Sequence, residues 1–204
     1  MERVLSEAYL FIDVQDDFCP VGALAVVEED KIVRPINEAI DNFDLVVLTQ
    51  DWHPQEHKSF ASSNENKRPF ETVEMFYGDQ VLWRDHCIQG SLGANFHPDL
   101  KDAKADVIIR KGSNPYVDSY SDLFENDKVT PTGLHGYLKD CEVTDLTLVG
   151  LATDFCVAFS ALDAARLGCQ VTISLDMVRA IDADGSLRSA IDKMSKAGVS
   201  LVNG

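Results

Sequence analysis

The chain has 204 residues, 45% hydrophobic and 25% charged, which suits the core of one ordinary globular domain over residues 1–204. A net charge of −16 argues against nucleic acid or anionic lipid as a partner, and no apolar run approaches the roughly 18 residues of a membrane span. The opening Met1-Glu2-Arg3-Val4 has no signal-peptide pattern, and five scattered cysteines (Cys19, Cys87, Cys141, Cys156, Cys169) form no C-x-x-C pair, so a cytoplasmic protein with reduced thiols is expected.

The first strand is expected at residues 9–14, with Asp13 near its end and Phe18 soon after. A helical pattern covers 32–40, and a second apolar strand, 45–49, is followed by Asp51. Residues 50–101 are polar and weakly patterned, and a stretch that long in a compact domain is usually functional. A third strand, 107–110, leads into Lys111, and a fourth, 146–151, breaks at Ala152 to Asp154. A helix is expected from Cys156 to residue 167, with Val157, Leu162 and Ala165 inward. A strand at 171–175, a helix at 186–197 and a strand at 199–202 complete the pattern. Leu187, Ile191 and Met194 form the inner stripe of that last helix; Asp184 is its expected cap and Gly198 its stop. Apolar strands alternating with helices give an α/β fold, a mostly parallel central sheet with helices on both faces.

In an open parallel sheet, sites form beyond the carboxyl ends of the strands. Asp13, Asp51, Lys111 and the Ala152–Cys156 turn all follow strands and so meet at one edge. Cys156 at the start of a helix is expected to have a lowered thiol pKa, and backbone N–H groups of that turn can receive an oxyanion. A thiol that attacks an amide needs a proton acceptor; Asp13 suits that task, and Lys111 suits orienting it. Each residue alone also has a plainer reading: a buried cysteine, a turn aspartate, a surface lysine.

Asp51 and His53 fall on one side of an extended segment, with His57 close behind and His86 further on. A carboxylate with two imidazoles and open positions suits a catalytic or ligand-binding divalent metal, Zn²⁺, Fe²⁺ or Mn²⁺; a loop of histidines bonded to backbone is the plainer reading. Cys87 is an alternative ligand to its neighbour His86, and His97 and His135 read as ordinary loop residues. Phe18 and Trp83 flank these residues and could sandwich a flat heteroaromatic ring, or could simply pack in the core.

Five separated segments, in order, resemble the nicotinamidase branch of the isochorismatase-like cysteine hydrolases. They are Asp13-Val14-Gln15-Asp16-Asp17-Phe18-Cys19; Asp51 through Ala61; Trp83-Arg84-Asp85-His86-Cys87; Lys111 through Ser121; and Gly150 through Val157. The two metal segments favour that branch, because many relatives lack a metal. The resemblance implies an isochorismatase-like hydrolase fold and Asp13, Lys111 and Cys156 as the catalytic triad. It implies Ala152 and Cys156 N–H groups as the oxyanion hole and a cis peptide before Ala152. Asp51, His53 and His86 become the ligands of one divalent ion, zinc foremost, with iron or manganese as alternatives. His57 ligates in some relatives and not in others. Ring contacts fall to Phe18, Trp83 and Tyr120. The implied substrate is nicotinamide, hydrolysed to nicotinate and ammonia through a thioester in NAD salvage. Another small amide or ureido substrate, or a catalytically silent binding member, stays open, as does a homo-oligomer. One segment departs from the family, which often reads Tyr-Ser-Ala-Phe or Tyr-Ser-Gly-Phe where this chain has Tyr120-Ser121-Asp122-Leu123-Phe124. Leu123 there replaces an aromatic expected near the pocket wall.

Overall fold

The computed structural model describes residues 6–203; the Met1-Glu2-Arg3-Val4 segment lies outside the described residues. The elements run β1 (Glu7–Ile12), α1 (Asp30–Ala39), β2 (Leu45–Asp51), β3 (Thr72–Met75), β4 (Gly78–Val81), β5 (Val107–Lys111), α2 (Leu134–Asp140), β6 (Asp145–Leu151), α3 (Ala158–Arg166), β7 (Gln170–Arg179), α4 (Ser186–Lys196) and β8 (Ser200–Val202). Six strands form one sheet in the order β5-β2-β1-β6-β7-β8, and every neighbouring pair is parallel.

Alternation along β1 explains why both faces are covered. Ala8, Leu10 and Ile12 pack toward α2, α3 and α4, where Leu134, Leu138, Ala161, Ala164 and Met194 meet them. Tyr9 and Phe11 face the other way, against Ile32, Val33 and Ile36 of α1 and against Trp83 from the long loop region. A central strand buried on both sides can afford no polar residue until it ends, and β1 has none after Glu7. Close approach of β6 to β1 needs a glycine: a Cβ on Gly150 would lie 2.1 Å from Ile12 O.

Several local expectations are corrected. The segment 153–157 is a π-type turn, closed by Val157 N–H to Ala152 O at 3.1 Å, and α3 starts only at Ala158. Its inner stripe is Ala158, Ala161 and Ala164, with Leu162 and Ala165 only partly buried. Asp184 does not cap α4; it stands in left-handed backbone before Gly185, and Asp182 Oδ1 instead accepts from Leu187 N–H at 3.3 Å. Gly198, at φ +84°, does end that helix. The weakly patterned middle contains the antiparallel β3–β4 pair, and α2 has no counterpart among the expected helices. Among the described residues no helix is long and apolar enough to cross a membrane, and all five cysteines are free thiols.

Candidate active site

The strand order brings the chemistry together. Lys111 ends β5, Asp51 ends β2, Asp13 follows β1, and Cys156 follows β6, so four adjacent strands deliver four groups to the carboxyl edge. Asp51 and Lys111 are register partners. Asp13 adopts a left-handed backbone (φ 49°), a conformation that Asp tolerates better than most side chains. The Leu151–Ala152 peptide is cis.

Lys111 Nζ is the hub. It lies 2.8 Å from Asp13 Oδ2, 2.5 Å from Asp51 Oδ1, 3.0 Å from Ser119 O and 3.5 Å from Cys156 Sγ. Burial works against its charge, but Asp13 and Asp51 outweigh burial and hold its pKa well above the ordinary lysine range. Burial raises Asp13, which Lys111 only partly offsets, and Thr49 Oγ1 donates to Asp13 Oδ1 at 2.9 Å. For Asp51, burial is overcome by Lys111 and His53, which hold the carboxyl far below its usual range. The expected lowering of the Cys156 thiol is not met. Burial pushes it well above its ordinary value; Lys111 opposes this, while Asp13 and Asp51 reinforce it. A resting thiol with a carboxylate close by therefore needs the carboxylate to take its proton; one polar atom each from Asp13, Asp51 and Cys156 lie within 4.8 Å of one another.

Asp51, His53 and His86 bring one potential ligand atom each within 4.8 Å of the others, all three residues buried. The hydrogen-bond network indicates which nitrogens are available. His86 Nδ1 meets Arg84 O at 2.8 Å, and its Nε2 stands 3.6 Å from Asp51 Oδ2. His53 Nε2 meets Asp118 Oδ1 at 3.1 Å, and its Nδ1 is buried without a partner. Burial disfavours a charged His53, yet Asp51 and Asp118 raise its pKa, so a metal would compete with a proton there. An orphaned imidazole nitrogen, a second imidazole and an ionised carboxylate fit a divalent cation. His57 stands outside this trio but forms a second such group with His53 and Asp118; its Nδ1 accepts from Ser59 N–H at 3.1 Å, and its Nε2 is buried without a partner. Cys87 turns its thiol to Gly93 O instead. Gly112 is required beside this cluster, since a Cβ there would lie 2.6 Å from His53 Nε2.

One cavity joins the two clusters. Asp51, His53 and His86 line one part of it, Ala152 and Cys156 another, and Phe18, Trp83 and Tyr120 add aromatic surface. Leu123 is not part of that wall; it is buried in the core with Ile12 and Val157. Leu24, Asp118, Ser119, Phe155 and Ile181 also line the cavity and escaped the sequence reading; Phe155 and Asp118 bear most on the site. Phe155 packs edge-on against Trp83 at 4.8 Å, a ring whose place directly before Cys156 was its only signal. Asp118, in the segment after Lys111, braces His53, and Gln80 Nε2 donates to Asp118 Oδ2 at 2.9 Å and to Tyr120 Oη at 2.7 Å.

Comparison with known proteins agrees with this architecture. The isochorismatase domain model matches residues 7–203. A nicotinamidase of Acinetobacter baylyi is 45% identical over 203 residues, covering 100% of this chain and 95% of the relative. A solved Acinetobacter baumanii nicotinamidase/pyrazinamidase superposes with a TM-score of 0.96 at 47% identity, covering 100% of this chain and 98% of the other. A pyrazinamidase of Pyrococcus horikoshii, solved in complex with zinc, gives a TM-score of 0.78 at 33% identity, covering 98% and 99%. The family match runs from β1 to β8 and spans every element that delivers a residue to the cavity, so the chain belongs to the isochorismatase-domain family.

Proposed function

We propose that this chain is a metal-dependent nicotinamidase that hydrolyses nicotinamide to nicotinate and ammonia and serves NAD salvage. The observation that carries this reading is Lys111 Nζ, which contacts Asp13, Asp51 and Cys156 at once and so couples a nucleophile cluster to a metal-type donor set across one cavity. The names of the relatives at 45% and 47% identity support the substrate, and the zinc in the Pyrococcus horikoshii protein supports a divalent ion, zinc foremost.

Asp51, His53 and His86 would hold that ion, with His57, beside His53, as a candidate further ligand. When bound, the cation supplies a Lewis-acidic point, direct or through water, for the ring nitrogen of the substrate. The flat ring fits among Phe18, Trp83 and Tyr120, which present aromatic surface to the cavity. Asp13 takes the thiol proton as Cys156 Sγ attacks the carboxamide carbon, and the backbone N–H groups of Ala152 and Cys156 receive the developing oxyanion. Asp13 passes that proton to the departing ammonia, leaving a thioester. It then takes a proton from water, which cleaves the thioester to nicotinate and returns the thiol. The raised pKa of Asp13 suits this exchange, since a base works best when its pKa approaches the working pH. Lys111 keeps Asp13 in place and stays cationic throughout.

The test is ammonia release from nicotinamide before chelation, after it, and after metal is restored. Release that chelator abolishes and zinc restores supports the reading. Release that is indifferent to chelation keeps nicotinamide as the substrate and rejects the metal dependence, and none from folded, metal-loaded protein points to another amide substrate or a catalytically silent member.

A further inference from the structure

Behind the proposed base lies a second carboxyl group that the mechanism does not use. Asp122 is fully buried, and neither of its side-chain oxygens meets a donor in good geometry, although the Ser160 and Thr49 hydroxyls stand beside it. The charged groups that face it are Asp13 and Lys111.

An ionised Asp122 would be an unsatisfied anion next to a second one, a costly arrangement. Burial and Asp13 both push its pKa well above the ordinary carboxylate range. As a carboxylic acid the group becomes a donor and needs an acceptor. Ser160 Oγ already accepts from the Asp122 backbone N–H at 2.9 Å. Thr49 Oγ1 gives its one proton to Asp13 Oδ1 at 2.9 Å and keeps its lone pairs for an incoming donor. We propose that Asp122 is a positioning residue for Asp13: its carboxyl donates to Thr49 Oγ1, which commits the Thr49 proton to Asp13 Oδ1 and leaves Asp13 Oδ2 to Lys111 and the thiol. This inference rests on the reading of Asp13 as the base.

Two readouts test it. The first is the infrared difference spectrum of wild type minus D122N at neutral pH. A protonated-carboxyl carbonyl band present only in wild type supports the proposal; its absence means an ionised Asp122 and overturns it, whatever Asp13 does. The second is steady-state kinetics. D122A should lower kcat roughly tenfold, the size of one lost hydrogen bond, with KM unchanged. T49V should do the same, and the double variant should be no worse than either. D122N, whose amide can still donate to Thr49, should recover most of the loss. Additive losses, a D122N as impaired as D122A, or a loss in S160A matching D122A while T49V is unaffected would each overturn the Thr49 route. D13N is the separate control: full turnover in that variant rejects the base reading itself.

Discussion

Lys111 Nζ stands 2.8 Å from Asp13 Oδ2, and neither side chain has any exposed surface. Removing the cation strands Asp13 and Asp51 in the interior, a situation that typically costs about 3–5 kcal/mol. K111M should therefore lose that order of stability in urea denaturation and lose turnover as well. The double variant K111M/D13N, which removes both charges of the pair, should regain part of the stability and none of the activity. If K111M is as stable as wild type, the ion pair is not what holds this edge of the sheet.

Cys156 carries the bond-forming step of the proposed mechanism, while the metal-type donors are other residues. C156A should lower kcat by roughly 10³-fold or more, as loss of a nucleophile does elsewhere. Metal content measured on the same preparation should match wild type. Turnover retained in C156A would favour attack by metal-bound hydroxide over a thioester.

The strand ends were legible in the sequence for a physical reason. Leu45 to Asp51 and Asp145 to Leu151 are buried along almost their whole length, and a continuous apolar run signals a central parallel strand. The residues that follow such runs then fall at one edge, as Asp13, Asp51, Lys111 and Cys156 do. What could not be read depends on contacts distant in sequence. Gln80 bonds Asp118 across 38 residues, and both lie on irregular or short elements with no periodic signature. The direction of the Cys156 shift failed for a related reason. A helix start is visible in sequence, but the burial and the ring of carboxylates that overrule it are products of the fold.

Tyr77 Oη donates to Gln80 Oε1 at 3.1 Å, and Gln80 in turn holds Asp118 and Tyr120. Burial, with the charge of Asp118 adding to it, pushes the Tyr77 pKa up to about 12. The unfolded value is about 10, so the folded protein binds more protons between these two pH values. The stability this gives is complete below about pH 10 and is lost as pH rises through the folded-state value. Denaturation midpoints measured between those limits should fall less steeply in Y77F than in wild type. Parallel slopes would mean that Tyr77 titrates normally.

Phe18 lines the cavity beside His86, ring to ring at 5.5 Å, without bonding to the nucleophile cluster. Losing its aromatic surface should weaken ring binding by about 1–2 kcal/mol. F18A should then raise KM for nicotinamide roughly tenfold while kcat changes little, because the thiol, Asp13 and Lys111 are untouched. A fall in kcat with constant KM would show that Phe18 positions the reacting carbon instead of gripping the ring.

Asp118 Oδ1 accepts from Ser119 N–H at 2.9 Å and meets His53 Nε2 at 3.1 Å, while its other oxygen takes Gln80. These bonds fix the tautomer and the ring plane of His53, and a carboxylate raises the basicity of the imidazole it contacts. D118N keeps the shape and loses the charge. Such changes around metal-bound histidines typically weaken metal binding 10–100-fold, so the zinc dissociation constant from chelator competition should rise by roughly that factor. Activity should return when D118N is assayed at saturating zinc, since Asp118 does not bond to Cys156, Asp13 or Lys111 in this arrangement. An unchanged dissociation constant would exclude His53 as a ligand oriented by Asp118. Activity that excess zinc does not restore would assign Asp118 a part in holding the substrate.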